Sequence, residues 1–220
     1  MNILQLTKSL HKGGVESHIL DLSEHLIKRG NSVIVASDNL AEEGEFKKKK
    51  IEVNSIRFMS KSPKAVWGCI QKIHGLIKEN DIDLVHCHWR ICCLYMKLHN
   101  WIYHENVPYI WTCHLAGMKN SFMLRMLTAF DKYIIGVSSD CTQMVMDTFK
   151  VSDEYVKTVY NGIHILENVE ELKISDESTF RLTILSRLNP IKNHACMLRA
   201  LKRLIYDFNL KNIKLTITGD

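Results

Sequence analysis

The sequence predicts an α/β fold: a doubly wound parallel sheet of the Rossmann-like type. Two observations predict it. Short apolar runs alternate with segments of helical period almost from end to end of the 220 residues. Turn and cap residues fall between those segments, so each strand is followed by a helix, the pattern of βαβ units with right-handed crossovers.

Ile3, Leu4 and Leu6 read as a first strand. Val15, Ile19, Leu22 and Leu26 then recur on one helix face, and Gly30 ends that helix. Ser32 to Ala36 is a second strand, and the polar stretch from Asp38 to Lys50 is expected to be a loop. Ile51 to Phe58 reads as a third, weaker strand. Ser62-Pro63 is an N-cap followed by proline at N1, and Val66, Ile70, Ile73 and Ile77 form the helix face behind it. A strand at Asp83–His88, a helix at Ile91–Tyr103 and a strand at Val107–Cys113 follow. The alternation continues through a helix at 119–130, a strand at Tyr133–Val137, a helix at Ser138–Phe149 and a short strand at Val156–Tyr160. Asn161-Gly162 is a turn signal.

The first domain is thus expected over 1–165. An acidic, aperiodic linker is expected over 166–179, and a second domain begins at 180. There Arg181–Leu185 is a strand, Ala195, Leu198, Leu201 and Ile205 share a helix face, and Lys214–Ile217 is another strand. Two strands and one helix are too few to bury a doubly wound core, so this second domain is expected to be truncated.

Composition excludes several classes. Hydrophobic residues are 46% and charged residues 24%, which suits a buried core rather than disorder. Only 10 Gly and 3 Pro are present, so collagen-like and low-complexity chains are out. No apolar run reaches the length of a transmembrane helix, and the N-terminus lacks the basic and small-residue signature of a secretory leader. A cytoplasmic protein is expected. The 7 Cys contain no C-x-x-C pair, which fits reduced thiols. The formal net charge of +5 permits acidic ligands without requiring them. The basic residues are scattered without interleaved aromatics, which speaks against nucleic acid.

In open parallel sheets ligands sit beyond the carboxyl ends of the strands, so the strand-to-helix loops carry the candidate chemistry. Gly13-Gly14 at a helix start lets a phosphate approach backbone N–H groups, although a tight turn explains the pair as well. His86 and His88 share a strand face beside Cys92 and Cys93, but their spacing matches no standard zinc motif, and no metal is expected. The expectation there is one buried, hydrogen-bonded histidine and one that points into a cleft. His114 ends a strand, where an imidazole meets a hydroxyl or phosphate or serves the structure. Arg187 and Lys192 follow the first strand of the second domain as a forked and a point-like cation, or as solvated surface charges.

Taken together, these loops resemble the family-four glycosyltransferases, whose GT-B fold faces two Rossmann-like domains. The resemblance is carried by Gly13-Gly14-Val15-Glu16 with Arg29-Gly30, by Asp83-Leu84-Val85-His86-Cys87-His88, by Thr112-Cys113-His114 and by Val137-Ser138. It continues in Val159-Tyr160-Asn161-Gly162-Ile163, Leu185-Ser186-Arg187-Leu188 with Lys192, and Thr218-Gly219-Asp220. The family usually has glycine where Ser186 and Asn193 stand, and often an acidic residue at His164.

The resemblance implies a GT-B N-terminal domain with the start of a nucleotide-sugar-binding domain. It implies transfer of a sugar from a nucleotide-diphosphate sugar to a hydroxyl, with retention and without a metal or cofactor. By that likeness Gly13, Gly14, Asn161 and Gly162 bind the donor, and His114 contacts the donor sugar. Arg187 and Lys192 neutralise the departing diphosphate, and Glu16 and His88 lie on the acceptor side. The expected partners are a nucleotide-sugar donor and a sugar or lipid-linked acceptor of the cell envelope or a polysaccharide, such as lipopolysaccharide. The family's E-x7-E region lies past Asp220, so weak or no activity is expected of this chain alone, or a separate chain that supplies that half. A nucleotide-sugar epimerase of the same architecture and a non-catalytic remnant or subunit are the alternatives. The run Lys47–Lys50 and the stretch 119–127 would serve peripheral contact with the inner membrane face, or are a solvated loop and a buried helix.

Overall fold

The computed structural model describes residues 1–11, 13–59, 62–117, 129–163, 165 and 178–219. The chain divides into two compact units, Met1–His164 and Ile165–Asp220. The helix expected over 119–130 and the linker expected over 166–179 fall almost wholly outside the described residues.

The first unit is a sheet of seven parallel strands in the order β3-β2-β1-β4-β5-β6-β7. The strands are β1 (Asn2–Ser9), β2 (Ser32–Asn39), β3 (Glu52–Ser55), β4 (Leu84–Cys87), β5 (Tyr109–Cys113), β6 (Tyr133–Gly136) and β7 (Val156–Thr158). Helix α1 (Gly14–Lys28) joins β1 to β2, α2 (Glu43–Lys48) and α3 (Pro63–Glu79) flank β3, α4 (Arg90–Tyr103) joins β4 to β5, and α5 (Ser139–Phe149) joins β6 to β7. The chain leaves β1 toward β2 on one side and returns to β4 on the other. The strand order therefore reverses between β1 and β4, where an open parallel sheet offers its ligand crevice.

The helices form where their residues allow. Ser62 caps α3, its hydroxyl accepting from the Ala65 amide at 3.2 Å, with Pro63 at N1. Ser138 caps α5 in the same way through Cys141 N. Gly30 takes φ +81 just past the end of α1. Gly136 on β6 has no room for a side chain, since a Cβ there would lie 2.3 Å from Thr142 Oγ1 and 2.8 Å from Thr142 N.

The expected loop between β2 and β3 contains α2. Phe46 explains the difference, because a one-and-a-half-turn helix buries its ring with Leu10, Ile19, Val35 and Ile51. The lysines at its end are paired: Lys47 with Glu43 at 2.9 Å, Lys48 with Glu45 at 2.6 Å, and Lys49 with Glu24, which also holds Lys28 at 2.7 Å. Hydrogen bonds from Lys28 and Lys49 pull the Glu24 carboxyl down to about 2. β3 is shorter than its apolar run, because Ile56 and Phe58 leave the strand and enter the core against α3.

In the second unit, β8 (Phe180–Leu185) and β9 (Ile213–Thr218) pair in parallel, with α6 (His194–Tyr206) between them. None of its described residues is buried. All seven cysteines are free thiols, and six of them are buried. No described helix is long and apolar enough to cross a membrane.

Candidate functional site

The site follows from strand alternation. Leu4 and Leu6 of β1, Val85 and Cys87 of β4, and Trp111 and Cys113 of β5 join the large core that also holds Ile70, Ile73 and Met96 of α3 and α4. The intervening positions, Gln5, His86 and Thr112, with His88 and His114 just past their strands, therefore face the other way, toward α1. There His18 of α1 meets them, with ring centroids 5.1 Å from His114 and 5.8 Å from His88. Cys92 and Cys93 lie in the large core, on the far side of the sheet from the histidines.

These polar groups form a hydrogen-bonded chain with a defined direction. Ser23 donates to Ile19 O at 2.6 Å, so its hydroxyl oxygen accepts from Gln5 Nε2 at 2.6 Å. That turns Gln5 Oε1 to His88, whose Nε2–H donates to it at 2.9 Å. His88 Nδ1 is then an acceptor, so His114 Nε2–H donates to it at 3.0 Å. His114 is left with one lone pair, on Nδ1. On the same face His86 Nε2 and Thr112 Oγ1 lie 2.6 Å apart.

Burial holds the imidazoles neutral. Desolvation, reinforced by His18 and His114, brings His86 down to about 3. It brings His114 down to about 4, with His18 as the second cause, and His88 well below the ordinary histidine value. His18 is lowered as well, chiefly by desolvation and against a weaker opposing pull from Asp21. At neutral pH the cluster offers lone pairs and N–H donors and carries no charge.

Beside it opens a cavity of about 420 Å³ lined by Lys8, Val15, Met59, His88, Trp89 and His114, among others. It brings together the end of β1, the first turn of α1, the start of α4 and the end of β5, and so sits at the switch point. The Trp89 indole N–H is buried and has no partner among the described residues, and Lys8 Nζ stands 5.5 Å over that ring. The two helices that start here differ from α3 and α5 in having no side-chain cap: α1 begins behind Gly13, and α4 begins behind Trp89. Gly13 is extended, at φ −179, and an added Cβ would meet only the end of the Glu16 side chain. A Cβ on Gly14 would have nothing within 4 Å. Neither glycine is demanded by the fold, and both leave the backbone at the start of α1 without a Cβ over it.

The other expected site residues are distributed as follows. Glu16 lies in the first turn of α1, half-buried. His88 is 2% exposed with both ring nitrogens engaged, and His86 is buried too. Both rings have buried partners, Thr112 for His86 and Gln5 for His88, and His88 also lines the cavity. Gly162 lines a groove of about 250 Å³ with His18, Asp21, His25 and Tyr160, while Asn161 beside it is exposed.

Arg187 and Lys192 belong to the second unit. The Arg187 carbonyl accepts from His194 Nε2 at 3.0 Å, and Lys192 closes a 3-10 turn whose first amide is capped by Asn189 Oδ1 at 3.0 Å. Asn193, where the resembling family has glycine, takes φ 53 and ψ 40, a left-handed conformation that asparagine tolerates best after glycine. A Cβ on Gly219, at φ +145, would lie 2.1 Å from the Ser186 carbonyl oxygen, so this glycine is required.

Sequence pattern does not single out Gln5, Ser23 or His18, and it marks Thr112 only as part of the run Thr112-Cys113-His114. The signal for His18 was present, since it stands three residues after Val15 and four before Leu22, on the sheet-facing stripe of α1. A glutamine in the middle of the apolar run Asn2–Leu6 was the signal for Gln5.

The whole chain superposes on several solved structures at low identity, a likeness of fold. A glycosyltransferase from Rickettsia africae ESF-5 matches 100% of this chain and 68% of its own, with a TM-score of 0.71 and 19% identity. Anabaena HepE, solved in complex with UDP and glucose, matches 100% and 70%, at 0.68 and 16%. The lipopolysaccharide outer core galactosyltransferase WaaB, in its apo form, matches 100% and 69%, at 0.71 and 15%. No curated protein matches the chain. The family description Glycosyltransferase Family 4 matches residues 12–165, which run from the start of α1 through β7 and include every histidine of the cluster, and the chain belongs to that family.

Proposed function

We propose that the chain binds a nucleotide-diphosphate sugar at the carboxyl edge of its sheet and serves transfer of the sugar, with retention, to a hydroxyl of a cell-envelope or polysaccharide acceptor. One observation carries the reading. His114, fixed in a single tautomer through His88 and Gln5, shares its cavity with the uncapped first turn of α1. The two features suit the two ends of such a donor. Amides at a helix N-terminus donate hydrogen bonds to phosphate oxygens. A neutral imidazole with one lone pair accepts a hydrogen bond from a sugar hydroxyl.

In this reading His114 orients the donor sugar and His88 positions His114. Gly13 and Gly14 admit the phosphates, and Asn161 and Gly162 complete the donor side. Cleavage of the glycosyl–phosphate bond builds negative charge on the leaving diphosphate. Arg187 and Lys192 would neutralise that charge most strongly in the transition state. Glu16 borders the acceptor. HepE, with UDP and glucose bound, and WaaB, a galactosyltransferase of the lipopolysaccharide outer core, support the donor and acceptor classes by analogy. The pairing of Lys47, Lys48 and Lys49 with carboxylates weakens the basic run as a membrane-docking patch.

Isothermal titration with UDP and GDP tests the reading. One of them is expected to bind the wild-type chain, and His114→Ala is expected to weaken binding of the matching nucleotide sugar. A folded wild-type chain that binds neither nucleotide overturns the reading and leaves a non-catalytic remnant. Binding without turnover identifies a subunit instead.

A further inference from the structure

A second polar cluster lies at the opposite edge of the sheet, where α3 ends and the chain turns from α4 into β5. His74 projects from the last turns of α3, His99 from the last turns of α4, and Glu105 from the turn after it. One donor atom from each comes within 4.8 Å of the other two. His74 Nδ1 and His99 Nε2 are 3.2 Å apart, and the Glu105 carboxylate oxygens lie 3.9 Å from His74 Nδ1 and 3.8 Å from His99 Nε2.

The surrounding bonds turn the His99 Nε2 lone pair and the Glu105 carboxylate toward His74 Nδ1, whose proton His99 accepts. Asn100 Nδ2 donates to Val107 O at 2.9 Å, so Asn100 Oδ1 is the acceptor that faces His99 Nδ1 at 3.1 Å. His99 is therefore protonated on Nδ1, and its Nε2 carries the lone pair. Lys78, largely in solvent, holds Glu105 Oε1 at 2.7 Å, while Oε2 is buried and has no partner among the described residues. The His74 ring is stacked flat on Tyr103 at 3.7 Å. His99 is wholly buried, whereas the side chains of His74 and Glu105 keep 27% and 19% of their exposure, so one side of the cluster opens to water.

We propose that His74, His99 and Glu105 form a binding site for a borderline divalent cation, best matched by zinc, with a water in the fourth position. Two imidazoles and a carboxylate are a recurrent zinc set. Bond lengths near 2.0–2.1 Å in a tetrahedron place ligand atoms about 3.3 Å apart, close to the separations found here. The carboxamide that accepts from His99 Nδ1–H is the outer partner a metal-bound histidine ordinarily has. A cation would satisfy the orphan Oε2, while His74 moves its ring proton from Nδ1 to Nε2. The ion would staple α3 to α4 and to the turn into β5, and would take no part in the chemistry at the other edge. The trio His18, His88 and His114 also gathers three nitrogens, but there the His88 Nδ1 lone pair is taken by His114 Nε2–H and His88 Nε2–H is held by Gln5, so a metal would have to break the chain that orients His114.

The test loads the full chain, stripped with chelator, with Co²⁺, and then displaces the cobalt with Zn²⁺. One equivalent of Co²⁺ with the intense visible bands of a four- or five-coordinate ion is expected. Zinc at about 100 times its Kd should raise Tm by about 5–10 °C. Glu105→Gln and His74→Ala should each weaken binding by about 100-fold or more and abolish the Tm shift. His114→Ala should leave both unchanged. Circular dichroism reports whether each variant folds, and Glu105→Gln, the nearly isosteric change, decides if His74→Ala does not. The proposal is overturned if the cobalt spectrum stays that of the aqueous octahedral ion, if Glu105→Gln binds like wild type, or if His114→Ala is the change that removes the metal.

Discussion

Replacing Gln5 by leucine tests the direction of the hydrogen-bond chain that fixes His114. Gln5 is wholly buried, donates to Ser23 Oγ and accepts from His88 Nε2–H. Leucine has nearly the same volume, so no cavity opens. Ser23 keeps its bond to Ile19 O and loses only an incoming donor. The main cost is the His88 Nε2–H, left buried without an acceptor, at about 1–3 kcal/mol. For a unit of this size, about 2 kcal/mol lowers Tm by about 4–8 °C. The second effect is chemical. His88 can relieve the orphan by moving its proton to Nδ1, and it then donates to His114 Nε2 and forces His114 into the Nδ1–H form. The lone pair that His114 offers on Nδ1 becomes a donor. Long-range 1H–15N correlation spectra of the imidazole nitrogens read this directly. At pH 7 wild type should show His88 and His114 protonated on Nε2, and Gln5→Leu should show both protonated on Nδ1. Gln5→Glu keeps an acceptor at 2.9 Å, so it should retain the wild-type tautomers while raising the His88 pKa. A wild-type spectrum with His88 protonated on Nδ1 would refute the chain's direction, as would a Gln5→Leu protein with wild-type Tm and tautomers.

The lowered histidines should make the protein lose stability in mild acid. Their folded-state values lie below the unfolded one, so stability is complete above pH 6.5. It falls as pH drops from there toward about 4 for His114 and about 3 for His86, by up to about 1.4 kcal/mol per pH unit for each group. Denaturant midpoints measured between pH 7 and 5 should show this slope, and His114→Gln should flatten it. Gly136→Ala should cost about 1–3 kcal/mol, because the new methyl group meets the Thr142 backbone nitrogen at 2.8 Å. Thr142→Ala should not rescue it, and thermal melts of the single and double variants check this. Gly14→Ala should separate folding from binding. With nothing within 4 Å of the new Cβ, Tm should hold or rise, whereas titration should show nucleotide binding weakened by about tenfold or more as the methyl group covers the first-turn amides.

The doubly wound sheet was legible because the chain states it redundantly. Every described strand coincides with an apolar run, and Ser62-Pro63 and Gly30 mark helix ends where the backbone has them. Failures came where tertiary packing overrode local pattern. The helix Glu43–Lys48 exists because Phe46 found a cavity beneath it, a fact that no window of its polar sequence contains. The run Ile51–Phe58 looked like one strand, but its second half leaves the sheet to pack on α3. The site was half legible for the same reason. His86, His88 and His114 stand at strand ends, where position alone speaks. Gln5 and His18 matter because strand alternation and one helix stripe deliver them to the same face, and that required the register Gln5 to His86 and the crossing of α1. The pair His74 and Glu105 gave no sequence signal at all, being 31 positions apart and joined only by the packing of α3 on the end of α4.

The neutrality of the histidine cluster constrains how the proposed donor can be held. An imidazole with a folded-state value of about 4 contributes no positive charge at pH 7, and His86 and His88 contribute none either. In the seven-stranded unit the attraction for a diphosphate is left to the N-terminus of α1 and to Lys8 and Arg90 at the cavity wall. The remaining charge would fall to Arg187 and Lys192. A diphosphate esterified at both ends keeps a fixed charge over this range, so affinity for a nucleotide-diphosphate sugar should be flat between pH 8 and 6. Titration across that range decides the matter. A tenfold gain on acidification would mean that a cluster histidine protonates with the ligand, and that the burial which holds these rings neutral gives way when the donor arrives.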